Sequence, residues 1–430
     1  MQNTPMAEIA HDPALPAVDL REVVFALSDA LDLVGISDVA HGKRVAVMAE
    51  KCARLLGYGE SDAMFVFELG MLHDIGVSSS WVHQQLVTEF DWENSQEHCL
   101  IGSRLLKRFA PFARMSEPIL YHHTHWKTLA AMREVAPEMA ELANLIFLVD
   151  RVDALAAAFY SGSSILRHNQ TLRAHIADLS GSYFSPRLVE VFMAASQSDA
   201  FWLSLEPRGI QIILQTKLLR GQQTRLSLNE LRHLSGLFAR IVDAKSAYTA
   251  NHSVGVARIA RVIGRRMGLD PVTCSLLMIA ALLHDLGKLR IPDEILEKDG
   301  PLDDQEVSVM QTHSFETYQI LGRIQGLEQI AQWAAYHHEA PGGRGYPFKI
   351  EAEKLPLPAR ILRVADIFQA MVQDRPYRVG LSERAVRSYL DKLVVCGLVD
   401  SEVVKVLESN IDLVWRAAGV RRDRILERVA

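Results

Sequence analysis

Seven side chains able to bind a metal recur in the same order in both halves of the chain. His41, His73, Asp74, His98, His122, His123 and Asp150 form the first set; His252, His284, Asp285, His313, His337, His338 and Asp366 form the second. The step from the lone His to the His-Asp pair is 32 residues both times (73−41 and 284−252), and the step from the middle His to the His pair is 24 (122−98 and 337−313). Ten of the 16 histidines fall in these sets, so one explanation covers most of the histidine content. Imidazole and carboxylate suit Mn, Fe or Zn. Seven ligands are too many for one tetrahedral ion but fit two ions sharing a carboxylate, and Asp285, next to a His, is the natural bridge. Two ions about 3.5–4 Å apart can activate a water at neutral pH and clamp a phosphodiester. Any single His here reads as a core or capping residue; the whole set, repeated with matching gaps, does not.

Helices must position these groups. Apolar residues recur at three- and four-residue spacing in Val39–Leu56, Leu231–Val242, Val254–Met267 and Leu357–Met371. No long alternating segment demands a strand, so the expected fold is all-α, two tandem helical domains. Breaks fall at Gly57-Tyr58-Gly59, Gly181-Ser182, Gly268 to Pro271, Asp299-Gly300-Pro301 and Pro341 to Pro347. The His337-His338 pair cannot lie on one face of a regular helix, but it can send two ligands to one centre where a helix ends. The repeat sets the expected limits: a tail at 1–17, a first domain at 18–205, a helical linker at 206–228 and a second domain at 229–430.

The composition excludes several classes. A hydrophobic content of 49% with 23% charged residues is that of an ordinary globular protein. A net charge of −6 offers no global basic field for a nucleic-acid polymer or an anionic membrane, so any anionic ligand must be held locally. The four arginines at 421, 422, 424 and 428 read as a solvated helix face. The four scattered cysteines form no CxxC pair and read as free, buried thiols in a reducing compartment. The N-terminal stretch lacks the pattern of a signal peptide, and apolar runs such as LANLIFLV are shorter than a membrane span. A cytoplasmic location is expected.

AALLHDLGKLRIPDEIL, YHHEAPGGRGYP and VADIFQAMVQDRPYR resemble the HD-GYP family of the HD phosphohydrolase superfamily, over about residues 229–410. The resemblance implies an all-helical domain that binds iron or manganese and linearises cyclic dinucleotides, chiefly cyclic di-GMP. It makes His252, His284, Asp285, His313, His337, His338 and Asp366 the metal ligands. Lys288 would contact the scissile phosphate and help protonate the leaving oxygen. Gly345, Tyr346 and Pro347 would form the loop that names the family, and Arg375 and Arg378 would meet the phosphate or the guanine. Glu339 is expected to orient a ligand His. Gly342 stands where the family usually has Asp, and Gln369 replaces another Asp. Tyr248 stands where some members carry a Glu associated with a third ion, so two ions are favoured.

The first half resembles the superfamily through FELGMLHDIG and YHHTHW. All seven ligand types are present, but Val77 replaces the lysine, the GYP loop is absent, and no arginine pair follows Asp150 as Arg375 and Arg378 follow Asp366. A regulatory or dimer-forming domain is the favoured reading, ahead of a second catalytic site and of a metal or redox sensor. The linker would suit a homodimer. The function expected is a cyclic-dinucleotide phosphodiesterase with cyclic di-GMP as first substrate and 3',3'-cyclic GMP-AMP as the close alternative. Two rivals are a non-catalytic cyclic-dinucleotide receptor and an adaptor.

Overall fold

In the computed structural model, residues 18–35, 40–77, 79–160, 164–220, 224–245, 251–374 and 379–420 are described. Their regular structure is helical except for one short antiparallel pair, β1 (Val18–Asp19) with β2 (Arg225–Leu226), where Val18 faces Leu226. This pair joins the start of the first half to the start of the second.

The first half is built on α1 (Leu20–Asp32), α2 (His41–Leu55), α3 (Glu60–Met71), α4 (Ser80–Thr88), α5 (Gln96–Leu106), α6 (Ser116–Tyr121) and α7 (Pro137–Ala156). Helix α8 (Pro207–Arg220) follows and lies back on α2, where Lys217 pairs with Glu50 at 2.6 Å. The second half repeats the plan with α9 (Leu228–Lys245), α10 (His252–Arg266), α11 (Pro271–Leu283), α12 (Asp304–Leu321), α13 (Glu328–Ala335) and α14 (Leu357–Val372).

The helical periodicity reads directly onto burial. In α10, Val256, Ile259, Ala260 and Ile263 are buried at three- and four-residue steps, and that face packs on α11 and α14. Asp270 caps α11 through the Val272 and Thr273 N–H groups, with Pro271 at the first helical position. Asp303 and Glu306 form a capping box on α12. One apolar stretch exceeds the lengths expected from the sequence: Pro271–Arg290 is long and apolar enough to cross a membrane, but most of it is buried in the protein interior, as a core helix is.

The two halves share one continuous apolar core. Helix α1 packs on α2 and α3 and also on α12 and the short turn Leu286–Arg290 of the second half. Asp293 ties the halves together. It accepts hydrogen bonds from the Ser79 hydroxyl (2.9 Å) and the Ser80 N–H (2.8 Å), and it pairs with the buried Lys245 ammonium (3.0 Å). Elsewhere Glu22 accepts from the Gln325 N–H at 2.6 Å.

Candidate metal centre

In the second half, five elements bring together the seven candidate ligand side chains. His252 opens α10, His284 and Asp285 follow the last residue of α11, and His313 lies on α12. His337 and His338 sit on a tight turn, Tyr336–His338, that ends α13, as the adjacent pair required; Asp366 lies on α14. His252 Nε2 is 3.0 Å from Asp366 Oδ1, and His284 Nε2 is 3.9 Å from the same oxygen. His313 and His337 bring their Nε2 atoms within 3.3 Å of each other. Asp285 lies between the two groups. Its Oδ2 is 3.2 Å from His284, while its Oδ1 is 3.6 Å from His313 and 3.9 Å from His337.

The rings are aimed. His284, His313 and His337 each turn Nδ1 to a backbone carbonyl one helical turn back, those of Ala281, Met310 and Ala334 at 2.6–2.8 Å. A donating Nδ1 leaves the Nε2 lone pair pointing inward. Burial pushes His313 down to about 4 and holds His337 and His338 well below the ordinary range, so these rings are neutral. Burial opposes the charge on Asp285, but the neighbouring His284 and Lys288 charges hold the carboxyl well below its usual range. His284 Nε2 and Asp285 Oδ1 are fully buried and form no hydrogen bond. Orphaned polar atoms at the centre of a ligand cluster are costly unless a cation satisfies them. This donor set fits divalent metal.

Lys288 Nζ is 2.6 Å from Asp285 Oδ2 and partly exposed, at the rim of the cluster. Gly345 is buried, and a Cβ there would fall 2.4 Å from Glu339 Cα and 2.6 Å from the His338 carbonyl oxygen. That close approach lets the Tyr346 N–H reach the His338 carbonyl (3.3 Å) and lets the Tyr346 ring stack on the His338 imidazole at 4.7 Å. The loop through Pro347 therefore bears on His338, one of the candidate ligands. Arg375 and Arg378 lie outside the described residues, as do Tyr248 and the arginines at 421, 422, 424 and 428.

The first half assembles the same constellation. His41 Nε2 is 3.3 Å from His73 Nε2 and from Asp150 Oδ1, and His98 Nε2 is 3.2 Å from His122 Nε2 and 3.4 Å from Asp74 Oδ1. His123 Nε2 is 3.6 Å from Asp150 Oδ2. Asp74 Oδ1 is buried without a hydrogen bond, as Asp285 Oδ1 is. This set fits divalent metal as well.

The HD domain family matches residues 39–155 and again, in a second form, residues 230–393. The 3'3'-cGAMP-specific phosphodiesterase 1 of Vibrio cholerae is 35% identical over 400 residues, covering 91% of this chain and 92% of its own. This chain belongs to the HD phosphohydrolase superfamily, with an HD-GYP domain as its second half. The cyclic di-GMP phosphodiesterase response regulator RpfG of Xanthomonas campestris is 33% identical over 184 residues, 41% of this chain and 49% of its own. A crystal structure of a cyclic GMP-AMP specific phosphodiesterase of V. cholerae shares the fold, with a TM-score of 0.62 at 23% identity over 92% of this chain and 98% of that one.

Within this HD-GYP chain several residues act otherwise than expected. Glu339 does not hold a His directly. It is fully buried and accepts the backbone N–H groups of Phe348, Lys349 and Ile350 at 2.6–3.1 Å, so it fastens the GYP loop. Two arginines of the first HD domain are not marked by any sequence motif. Arg151, immediately after Asp150, is buried and holds Asp150 Oδ2 at 2.9 Å, with the Leu86, Glu89 and Phe90 carbonyls as further acceptors. Arg44 pairs with the buried Asp153 at 2.7 Å, and Asp153 also holds His41 Nδ1 at 2.8 Å. The HD-GYP domain has Ile367, Gly255 and Gln369 at the matching positions. The cysteines also differ from expectation: Cys396 is exposed. Cys99 lies 3.8 Å from His98 Nε2, where the HD-GYP domain has the Ser314 hydroxyl 3.2 Å from His313 Nε2.

Proposed function

We propose that this protein is a metal-dependent phosphodiesterase that opens a cyclic dinucleotide to the linear dinucleotide, and that 3',3'-cyclic GMP-AMP is its preferred substrate. The observation that carries the reaction type is the buried, unpartnered Asp285 Oδ1 among imidazole nitrogens, with Lys288 beside the same carboxylate. Hydrolysis of the phosphodiester consumes one water; one P–O bond forms and the ring P–O bond breaks. Two divalent ions, iron or manganese by the resemblance, would be held by His252, His284, Asp285, His313, His337, His338 and Asp366 and would supply Lewis acidity to phosphate and water. Lys288 stands at the open edge of that cluster, where its ammonium can stabilise charge on a phosphoryl or leaving oxygen. Asp285 holds the ammonium there. Glu339 and Gly345 keep the GYP loop against His338, which fixes one ring of the set.

The order of substrates reverses the expectation from the HD-GYP resemblance. The relative named for cyclic GMP-AMP matches nearly the whole chain, both HD domains included, whereas RpfG matches 41% of it. In the first HD domain, buried Val77 stands where Lys288 stands in the second, so that domain has no counterpart of Lys288 and is given a supporting role in this reading.

Purified protein loaded with Mn or Fe is incubated with each cyclic dinucleotide, and linear product is separated by chromatography. Faster turnover of cyclic GMP-AMP than of cyclic di-GMP is expected, with turnover lost in the His284→Ala/Asp285→Ala double variant. Binding without product would make the protein a receptor, and equal rates on both substrates would remove the proposed preference.

A further inference from the structure

The groove between α5 of the first HD domain and α9 and α10 of the second carries chemistry that the metal centres do not use. Two adjoining cavities of about 300 and 270 Å³ run along it and share Leu105, Arg108, Arg240 and Val254. Arg104 lines one cavity and Arg232 the other, so four arginines from two domains, three of them exposed and Arg232 partly so, border one trough. Among the described residues, none of the four makes an ion pair or a side-chain hydrogen bond. Arg54, Arg187, Arg290, Arg323 and Arg360 sit on carboxylates, whereas these four stand together with one carboxylate among the lining residues. One carboxylate lines the trough, that of Asp243, and it already accepts the Ser253 hydroxyl at 2.8 Å. The remaining wall is largely apolar.

Four like charges held around a concave, partly apolar trough are mutually repulsive, and an anion of matching size relieves that repulsion. Guanidinium suits phosphate, because its planar fork donates two parallel hydrogen bonds. A volume near 300 Å³ is at the lower end for a small-molecule site, enough for one nucleotide. We infer that this interdomain groove is a second ligand site, lined by residues outside both ligand sets, which takes a nucleoside polyphosphate: phosphates on Arg104, Arg108, Arg232 and Arg240, base on the Leu105 and Val254 wall. Its place in the fold links it to both domains, since α5 carries His98 and α10 begins with His252. An occupant would bridge the two halves beside a ligand helix of each. The groove is independent of the substrate preference proposed above.

The test is direct binding of a fluorescent N-methylanthraniloyl GTP to the full-length protein, followed by anisotropy with excess EDTA present so that the metal centres do not report. Saturable binding is expected, weakened at least about tenfold in Arg108→Glu/Arg240→Glu, since each lost charged hydrogen bond is worth about that much. Arg133→Glu/Arg265→Glu changes net charge equally on exposed positions away from the groove and should stay within about threefold of wild type. Absence of binding to the wild type, or equal weakening in the two double variants, overturns the inference. Equal affinity for inorganic tripolyphosphate overturns the base-binding part, and tighter binding of a single-stranded oligonucleotide makes the groove a nucleic-acid surface instead. A change of sedimentation coefficient in Arg108→Glu/Arg240→Glu, without loss of GTP binding, would make it an interface between copies.

Discussion

Gln369 lies over Gly255: a Cβ on that glycine would fall 2.4 Å from the Gln369 carboxamide. The same place in the first HD domain is filled by the Arg44–Asp153 ion pair. One duplicate thus holds its first ligand His next to a buried pair of charges, and the other uses a neutral amide and an empty Cβ position. Both solutions keep the charge balanced. Changing one partner alone does not.

Gly255→Ala therefore forces the buried Gln369 amide aside. The expected cost is about 1–3 kcal/mol, the usual range for overpacking a core. Gln369→Ala alone leaves a cavity and should cost about as much. In the double variant the added methyl enters the space vacated, so the sum should not be reached, and a coupling of at least about 1 kcal/mol is expected between residues in contact. Urea denaturation of the four proteins measures it. Strict additivity would show that the two side chains do not meet.

The GYP loop gives the second prediction. Gly345→Ala meets backbone rather than a movable side chain, at Glu339 Cα and the Ala340 nitrogen, 2.4 and 2.5 Å away. The loop must shift, and with it the Tyr346 ring on His338. Glu339→Gln keeps the volume but weakens three backbone hydrogen bonds to a charged acceptor, each worth about 1.5–3 kcal/mol at most. Both variants should lose turnover by about tenfold or more while the fold persists by circular dichroism. Unchanged activity in Gly345→Ala would mean that the loop does not bear on the ligand set.

The sets of seven are legible in the sequence because each member is a residue type with its own chemistry and the chain states the spacing twice. The helices are legible for the same reason that they fold: α10 and α14 bury one face at regular steps. What escapes is pairing at a distance. Glu339 looks like a partner for the histidines beside it, but its carboxylate is filled by N–H groups that only the return of the loop supplies. Gly255 and Gln369 each look ordinary, and the separation of 114 residues (369−255) hides the contact. Arg151 is hidden for another reason. The arginine pair that marks the second half stands nine and twelve residues beyond Asp366, whereas Arg151 directly follows Asp150 and has no counterpart there.

Arg151 sets up the third prediction. Its guanidinium is buried and already occupies Asp150 Oδ2, an oxygen that a metal would have to win from it, whereas the cation on a carboxylate of the HD-GYP set, Lys288 on Asp285, is partly exposed and can swing aside. Elemental analysis of anaerobically prepared protein should find that His284→Ala/Asp285→Ala removes more than half of the bound metal. His73→Ala/Asp74→Ala should remove less than half. The opposite ranking would show that the arginine does not lower the first site's affinity.

The last prediction concerns pH and a group whose charged neighbours are Arg21, Asp19 and Lys217 rather than either ligand set. Burial pushes the Glu68 carboxyl on α3 up to about 7, against the lowering influence of Arg21. The ordinary value for this group is 4.5. Between those two values the folded protein binds a proton that the unfolded chain has released, so stability falls as pH rises through this window. Glu68→Gln keeps the shape and removes the titration. It should be stabilising at pH 8 by about 1–3 kcal/mol, because a tenfold change in proton affinity is worth roughly 1.4 kcal/mol and residual solvent contact reduces the total. Below pH 4 the two proteins should melt together, since the carboxyl is then protonated in both states. Thermal melts at pH 4, 6 and 8 give the three points. A constant difference across them would mean that Glu68 is ionised in the folded protein over the whole range, and that Arg21 outweighs burial.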